Sequence, residues 1–418
     1  MQLRDKEKEM FKYREEIENH LIYDIAPFWK KLRDDEYGGY YGSVDYELNI
    51  NDKAEKGCIL NNRITWFFSN AYAALNDESL LNEARHGFEF LRDKCVDKEN
   101  GGVFWSLNYD GTPLDTTKHT YNQAFAIYAL ASYYDVAHDP EALEIAYDLF
   151  DIIEEKCTDE IGYLEAFKID WSPESNEKLS ENGVMADKTM NTLLHVFEAY
   201  TELYRVTHNE KVGNKLRWIL DLFANKIYNP ALHRQEVFFD ANYNTILDLY
   251  SYGHDIETSW LIDRGVEVLQ DPAYEKKITP ITMDLAAAII NVAFDGHSLA
   301  NECEKGVVND HRIWWVQAET ILGFINAYEK AKALEERGEK QDVQYLSTPD
   351  KEIFMDAANA QWEFIRDHVI DKRCREWFWE VDPEGNPYEG RPIVEPWKCP
   401  YHNGRMCIEV MKRIKNED

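Results

Sequence analysis

No run of eighteen apolar residues occurs in this sequence; the most apolar stretch, Leu285 to Phe294, is cut off by Asp295. A helix that spans a bilayer needs about 20 such residues, so no membrane span is expected. Met1 to Glu9 is charged and lacks the apolar core of a secretory signal, which points to a cytoplasmic protein. Cysteine is sparse: Cys58, Cys95, Cys157, Cys303, Cys374, Cys399 and Cys407 are scattered, odd in number and never spaced C-x-x-C. That pattern argues against a disulfide framework or a zinc ribbon and fits reduced thiols. Positive charge is short as well. The 46 Lys and Arg are outnumbered by 78 Asp and Glu, a formal net charge of −32. Such a surface repels nucleic acid and anionic membranes, which leaves a neutral or locally guided substrate as the expectation. Phosphate loops are missing: neither G-x-x-x-x-G-K-[ST] nor G-x-G-x-x-G is present, so no nucleotide or dinucleotide cofactor is expected. G-x-S-x-G and H-E-x-x-H are absent too, which removes the serine nucleophile elbow and the zinc-protease helix.

What the chain does have is length and rings. Its 418 residues include 12 Trp, 25 Tyr and 19 Phe. That is too aromatic for disorder, and the chain is long enough to bury a large core without staples. Apolar residues recur at three- and four-residue spacing, which predicts helices over 8–32, 59–79, 81–96, 118–137, 140–156, 187–206, 209–226, 250–269, 275–298, 312–335, 350–369 and 401–415. Asn76-Asp77, Asp139-Pro140, Asn229-Pro230, Asp271-Pro272 and Thr348-Pro349 punctuate them. Segment 336–349 is the one candidate for a flexible excursion, and no role is attached to it.

After every second helix stands a short Gly- or aromatic-rich motif. The series runs Gly38-Gly39-Tyr40-Tyr41, Gly101-Gly102-Val103-Phe104-Trp105 and Gly162-Tyr163-Leu164, then more faintly Gln235-Glu236-Val237-Phe238, Gly306-Val307-Val308 and Trp377-Phe378-Trp379. A period of about 60 to 73 residues means repeated supersecondary units sharing one core. Six helical hairpins closed into a ring give an all-α (α/α)6 barrel of about twelve helices in inner and outer rings, spanning 1–418 as a single catalytic domain. Its strand-like loops would gather at one mouth. An open α-solenoid is the competing layout.

The even-numbered helices carry the unusual polar residues. They include Asn62, Arg63 and Trp66; His119, Tyr121 and Asn122; Asn191 with His195; His254 with Glu257; Trp314, Trp315 and Glu319; and His402, just after Trp397. Spacings of three and four put such pairs on one helix face. His20, His86, His138, His208, His233 and His368 read instead as surface or hydrogen-bonded core residues. In a closed ring, three histidines, an arginine and two glutamates converge on one axis. Aromatic walls around a polar cavity suit a sugar, which stacks its C–H faces and hydrogen-bonds its hydroxyls. Two imidazoles suit proton transfer near neutral pH, since their unperturbed pKa is about 6.5. An arginine beside them would stabilise charge developing on oxygen. Together these parts describe proton removal next to the carbonyl of an opened aldose, and proton return. Asn191/His195 and His254/Glu257 could also each offer two ligands to a divalent ion, but without a Cys/His cluster no catalytic metal is expected.

Seven stretches in register carry a resemblance over nearly the whole chain. They are Pro27-Phe28-Trp29 through Gly38-Gly39-Tyr40-Tyr41-Gly42, Asn62-Arg63-Ile64-Thr65-Trp66-Phe67-Phe68-Ser69, Tyr121-Asn122-Gln123-Ala124-Phe125, Met190-Asn191-Thr192-Leu193-Leu194-His195, Gly253-His254-Asp255-Ile256-Glu257-Thr258-Ser259-Trp260, Trp314-Trp315-Val316-Gln317-Ala318-Glu319 and Glu395-Pro396-Trp397-Lys398-Cys399-Pro400-Tyr401-His402-Asn403. The sequence resembles the N-acylglucosamine 2-epimerase superfamily, and within it the cellobiose 2-epimerases. The resemblance implies an (α/α)6 barrel that inverts C2 of the reducing-end glucose of a β-1,4-linked disaccharide, without metal or nucleotide. It places the acid/base pair on His254 and His402, the third active-site histidine on His195 and the arginine on Arg63. Glu257 and Glu319 match carboxylates that orient histidines and sugar hydroxyls. Trp315 and Trp397 match aromatic residues at the sugar, with Tyr121 and Asn191 as further contacts. The implied course is ring opening, removal of the C2 proton by one of the pair, a cis-enediolate held by Arg63 and His195, and proton return. A monomer or weak homodimer is expected. The alternatives are an N-acylglucosamine 2-epimerase, a mannose aldose–ketose isomerase of the same fold, an inverting glycoside hydrolase using Glu257 and Glu319, or a helical scaffold without activity.

Overall fold

The computed structural model describes residues 13–179, 183–339 and 345–414. Among these, twelve helical rods run in order. Helix α1 covers 14–30, as Arg14–His20, a wide π turn Leu21–Ile25 and Ala26–Lys30. The others are α2 Cys58–Leu75, α3 Glu78–Phe90, α4 Thr120–Ala137, α5 Pro140–Lys156, α6 Met190–Thr207, α7 Glu210–Leu222, α8 Tyr252–Leu269, α9 Pro272–Val292, α10 Trp314–Arg337, α11 Lys351–Phe364 and α12 Tyr401–Arg413. Periodicity placed all twelve. Residues 8–12 and 415 of the expected spans lie outside the described residues. Helix α9 starts at Pro272 and stops before the expected 298, because Phe294 turns into a bridge with Leu299.

The even helices pack in a cycle, each on the next, and α12 closes back on α2. The ring is therefore shut, an (α/α)6 barrel rather than an open solenoid. Each odd helix packs outside an even one. Inner helices touch neighbours on both sides and an outer helix behind, so they are apolar almost all round. Helix α4 is buried at every position from Thr120 to Tyr133. No helix of the described residues is long and apolar enough to cross a membrane.

The two ends of the barrel differ for a reason visible in the turns. At the floor, four inner helices end in a left-handed residue followed at once by an Asp or Asn that caps the next outer helix. These pairs are Asn76-Asp77, His138-Asp139, His208-Asn209 and Gln270-Asp271. The capping side chain accepts the N–H two residues on, which satisfies a donor the helix start leaves free. Two-residue turns leave no material to build a site. Apart from the one after α10, the long connections are therefore at the other end, the mouth. Helix α10 runs to Arg337, and Gly338, with a φ of 67°, closes it. Residues 340–344 of the connection that follows lie outside the described residues; Leu346 N–H then donates to Asp284 at 2.6 Å.

At the mouth each unit makes a tight bridge, Arg33 with Tyr40, Val96 with Val103, Thr158 with Tyr163, Phe294 with Leu299 and Ile370 with Trp377; the fourth is the pair Tyr228–Asn229 and Arg234–Gln235. In four of the six units an aspartate opens the turn, and a cation two residues before the next inner helix pairs with it. The pairs are Lys56–Asp34, Lys118–Asp97 at 2.8 Å, Lys188–Asp159 and Arg312–Asp295 at 2.6 Å. In the fourth unit both charges are missing together, with Asn229 and Tyr250 in their places. This corrects the repeat in one position. The fifth unit's turn is Asp295 to Ser298, whereas Gly306-Val307-Val308 belongs to a separate hairpin, Glu302–Glu304 against Val307–Asn309, laid on Leu249–Ser251.

Candidate active site

Every inner helix begins at the mouth, so six N-termini point the same way and bring their partial positive charge to one cavity. That cavity measures 580 Å³. Nine of the ten expected residues line it: Arg63, Tyr121, Asn191, His195, His254, Glu257, Trp315, Trp397 and His402. Glu319 does not; it stands behind His402. His119 lies on the strand Lys118–His119 before α4, not on the helix, and packs on Trp105 with ring centres 4.7 Å apart.

Each of the three histidines is held from behind by Nδ1. His402 Nδ1 lies 2.7 Å from Glu319 Oε1. His195 Nδ1 lies 2.8 Å from Glu198 Oε2, one turn along α6. His254 Nδ1 lies 2.7 Å from Ser251 Oγ. The cavity therefore receives Nε2 of every ring. All three are neutral at pH 7. Burial pulls His254 down to about 3, with His195 adding to it against Glu319. Burial also lowers His402, helped by Arg405 and Arg63, and lowers His195 despite Glu198. Trp315 stands between the pair, its ring 4.8 Å from His254 and 5.6 Å from His402.

Behind the wall is a residue that the sequence did not single out. Arg405, one turn beyond His402, is fully buried and donates Nη2–H to Glu257 at 2.6 Å and to Glu319 at 2.7 Å. Its Nη1 pairs with Glu198 and Tyr401. One cation cannot keep three desolvated carboxylates ionised. Glu198, buried but facing Arg405 and accepting from His195 and Tyr401, is held at about 2. Glu257 is pushed up to about 8 by burial and by Glu319, against Arg405. Glu319 is raised by burial as well, against Arg405. Hydrogen bonding decides where the proton of that pair sits. Glu319 has N–H donors at both oxygens, from Arg405 and Trp260, besides the ring of His402. Among the described residues Glu257 has one donor, Arg405. That balance favours the proton on Glu257 and leaves Glu319 as the carboxylate that accepts Nδ1–H of His402.

Arg63 is the opposite case. It is buried, yet it has no ion pair among the described residues. Its Nη2–H goes to Tyr121 Oη at 2.8 Å, its Nη1–H to the Trp397 carbonyl at 3.4 Å, and its Nε has no partner. The rings of Phe125 and Tyr401, 4.1 and 4.8 Å from the guanidinium carbon, hold it in place. Such a charge is kept for something that enters the cavity. Asn191 Oδ1, Trp314 Nε1 and Glu395 Oε1 also face this region without a partner. Buried polar atoms without partners are rare in folded proteins, and sugar hydroxyls would satisfy these. The rim adds Asn301, His311, Trp379 and Arg391; of these only Trp379 falls in a motif that the sequence repeat marked.

Two other readings can be weighed on this geometry. Glu257, Glu319 and His402 bring ligand atoms within 4.8 Å of one another, a set that differs from Asn191/His195 and His254/Glu257, the pairs that the sequence offered as possible ligands. Arg405 already stands on both carboxylates, so a cation's place there is filled. An inverting hydrolase needs carboxyl groups about 6.5–9.5 Å apart with water between them. Here both carboxylates bond to one guanidinium nitrogen, and Glu319 is outside the cavity wall.

The sequence matches the family model described as N-acylglucosamine 2-epimerase (GlcNAc 2-epimerase) over residues 38–402. It is 47% identical to the cellobiose 2-epimerase of Eubacterium cellulosolvens, over 95% of this chain and 98% of that one. It is 46% identical to that of Ruminococcus albus, with the same coverage. The solved structure of cellobiose 2-epimerase from Bacillus thermoamylovorans B4167 superposes with a TM-score of 0.89 at 42% identity, over 96% of this chain and 100% of that one.

Proposed function

The chain belongs to the N-acylglucosamine 2-epimerase family, and from that premise we propose that it is a carbohydrate epimerase of the cellobiose type. It converts the reducing-end glucose of β-1,4-linked disaccharides to mannose and back, with the whole barrel as one catalytic domain. The relatives named cellobiose 2-epimerase support the substrate class. One observation carries the chemistry: the buried guanidinium of Arg63, without an ion pair among the described residues, shares a cavity with the carboxylate-backed, neutral imidazole of His402.

The steps follow from those placements. The pyranose opens to its aldehyde between Trp315 and Trp397. His402, whose Nδ1–H is engaged by Glu319, presents a bare Nε2 and takes the C2 proton. The imidazolium so formed faces a carboxylate, which stabilises it as it forms. Negative charge moves onto the oxygens of a cis-enediolate, where Arg63 and the inner-helix N-termini meet it. His195 has its Nδ1–H committed to Glu198, so it receives a sugar hydroxyl as an acceptor rather than donating to the oxyanion. Inversion needs the proton back on the other face of C2. Either His254 supplies it from across Trp315, or rotation about C2–C3 turns that face to His402.

Cellobiose, N-acetylglucosamine and free mannose assayed side by side test the reading. Glucosyl-mannose from cellobiose is expected, and His402→Ala and His254→Ala should each abolish it while the fold stays intact. Turnover confined to N-acetylglucosamine or to mannose overturns the cellobiose assignment. Near-wild-type turnover by either variant overturns that histidine's role.

A further inference from the structure

Ser251 occupies the N-cap of α8, where a serine oxygen ordinarily accepts a backbone N–H two or three residues on. Thr189 does this at the same position of α6, taking the Thr192 N–H at 3.0 Å. Ser251 makes no capping bond; its Oγ is turned to His254 Nδ1 at 2.7 Å. The main chain holds it there, since the strand Leu249–Ser251 pairs with Glu302–Glu304. The start of α8 forgoes a cap and holds an imidazole instead.

The chemistry of the partner matters because the bond at Nδ1 decides what Nε2 presents. Glu198 and Glu319 only accept, so His195 and His402 carry their proton on Nδ1 and turn a bare Nε2 to the sugar. A hydroxyl can donate. Nδ1 of His254 is the one acceptor the Ser251 hydroxyl meets among the described residues. We propose that Ser251 is a positioning residue that donates to Nδ1 of His254 and fixes the neutral ring as its Nε2–H tautomer. The cavity then offers two bare nitrogens, on His195 and His402, and one N–H, on His254, which stands across Trp315 from His402. Burial beside His195 keeps His254 uncharged, so this N–H is not that of an imidazolium.

The inference rests on the C2 epimerisation proposed above and narrows it. A neutral N–H can hydrogen-bond an oxygen on which charge develops. Given outright to carbon, its proton would leave an imidazolate that nothing in the wall stabilises. Return of the proton therefore falls to His402. The C2–H bond breaks as N–H forms, the enediolate rotates about C2–C3, and the same imidazolium gives its proton to the other face.

The test is a multiple-bond proton–nitrogen NMR spectrum of protein labelled with 15N-histidine, at neutral pH, with His254→Gln to assign the signals. Wild type is expected to show His254 as the Nε2–H tautomer and His402 as Nδ1–H. Ser251→Ala should lose the His254 pattern. Its kcat on cellobiose should fall about 10- to 100-fold, less than the loss on deleting an oxyanion donor outright, with little change in KM. Ser251→Thr keeps a hydroxyl and should restore both. A wild-type His254 found as Nδ1–H or as imidazolium overturns the proposal, as does wild-type kcat in Ser251→Ala. The wild-type spectrum needs neither variant to fold nor any turnover. If the wild type leaves cellobiose unchanged, the epimerase reading fails while the spectrum still decides the tautomer.

Discussion

Arg405→Met removes the cation on which Glu198, Glu257 and Glu319 converge, without touching the cavity wall. Breaking a buried ion pair by deleting one partner costs about 3–5 kcal/mol, because the charges left behind stay desolvated. Glu257 already carries a proton, so the loss falls on Glu198 and Glu319. For 418 residues, an unfolding entropy of about 2.1 cal/mol/K per residue turns that cost into a drop in Tm of about 3–6 °C. The effect on turnover is larger. With Arg405 gone, Glu319 takes up a proton and no longer faces His402 as a carboxylate. The imidazolium formed when His402 accepts the C2 proton loses its counter-charge. At about 1.4 kcal/mol per tenfold, losing a stabilisation of roughly 3 kcal/mol costs about 100-fold in kcat. KM should change little, since Arg405 does not line the cavity. Calorimetry and steady-state kinetics on cellobiose read both quantities. Wild-type kcat with an unchanged Tm would refute the idea that this buried network powers His402.

Arg63→Met should separate function from stability in the other direction. Its kcat should fall about 10²–10³-fold, while its Tm should hold or rise, because a buried charge without an ion pair is exchanged for an apolar side chain. A lowered Tm would show that Arg63 is structural. Glu257→Gln tests the placement of the shared proton through pH. Glu257 is held up to about 8 when folded, against 4.5 as its ordinary value. Between these values the folded chain binds the extra proton, so this contribution to stability falls as pH rises, and in denaturant titrations the wild type should lose stability relative to the variant across about pH 4.5 to 8. The lowered histidines act oppositely and only below about 6.5, where the unfolded chain binds the extra protons. Lys118→Met strands Asp97 in the mouth turn and should cost about 3–5 kcal/mol, with turnover at low temperature largely kept; an unchanged melt would contradict the structural role given to these repeated pairs.

The helices were legible because inner and outer rods carry three- and four-residue apolar spacing over long spans. The closing of the ring was legible because the units fill the chain in an even count. Glycine misled the fifth repeat. What recurs is an aspartate opening a turn and a later cation that reaches it, as in Asp34 with Lys56 and Asp295 with Arg312; glycine follows only where the turn needs a left-handed residue. Read for that pair, the sequence would have given Asp295 rather than Gly306. At the site, side chains that reach the cavity stood out as polar residues in apolar helices. Those one layer back did not. Arg405 on α12 looks like any surface arginine, and Glu198 and Tyr401 like any helix residues, until the fold puts three carboxylates on one guanidinium. The hints were the three-residue spacings of His195 with Glu198 and His402 with Arg405. Ser251 was hidden in another way: a serine before a helix reads as a cap.

Proton NMR of cellobiose incubated with the protein in D2O, with EDTA present, decides whether C2 is epimerised. An anomeric signal of glucosyl-mannose should grow with time, and deuterium should enter C2 over repeated turnovers, as the proton held by His402 exchanges with solvent. Free glucose, or cellobiose left unchanged, would contradict epimerisation.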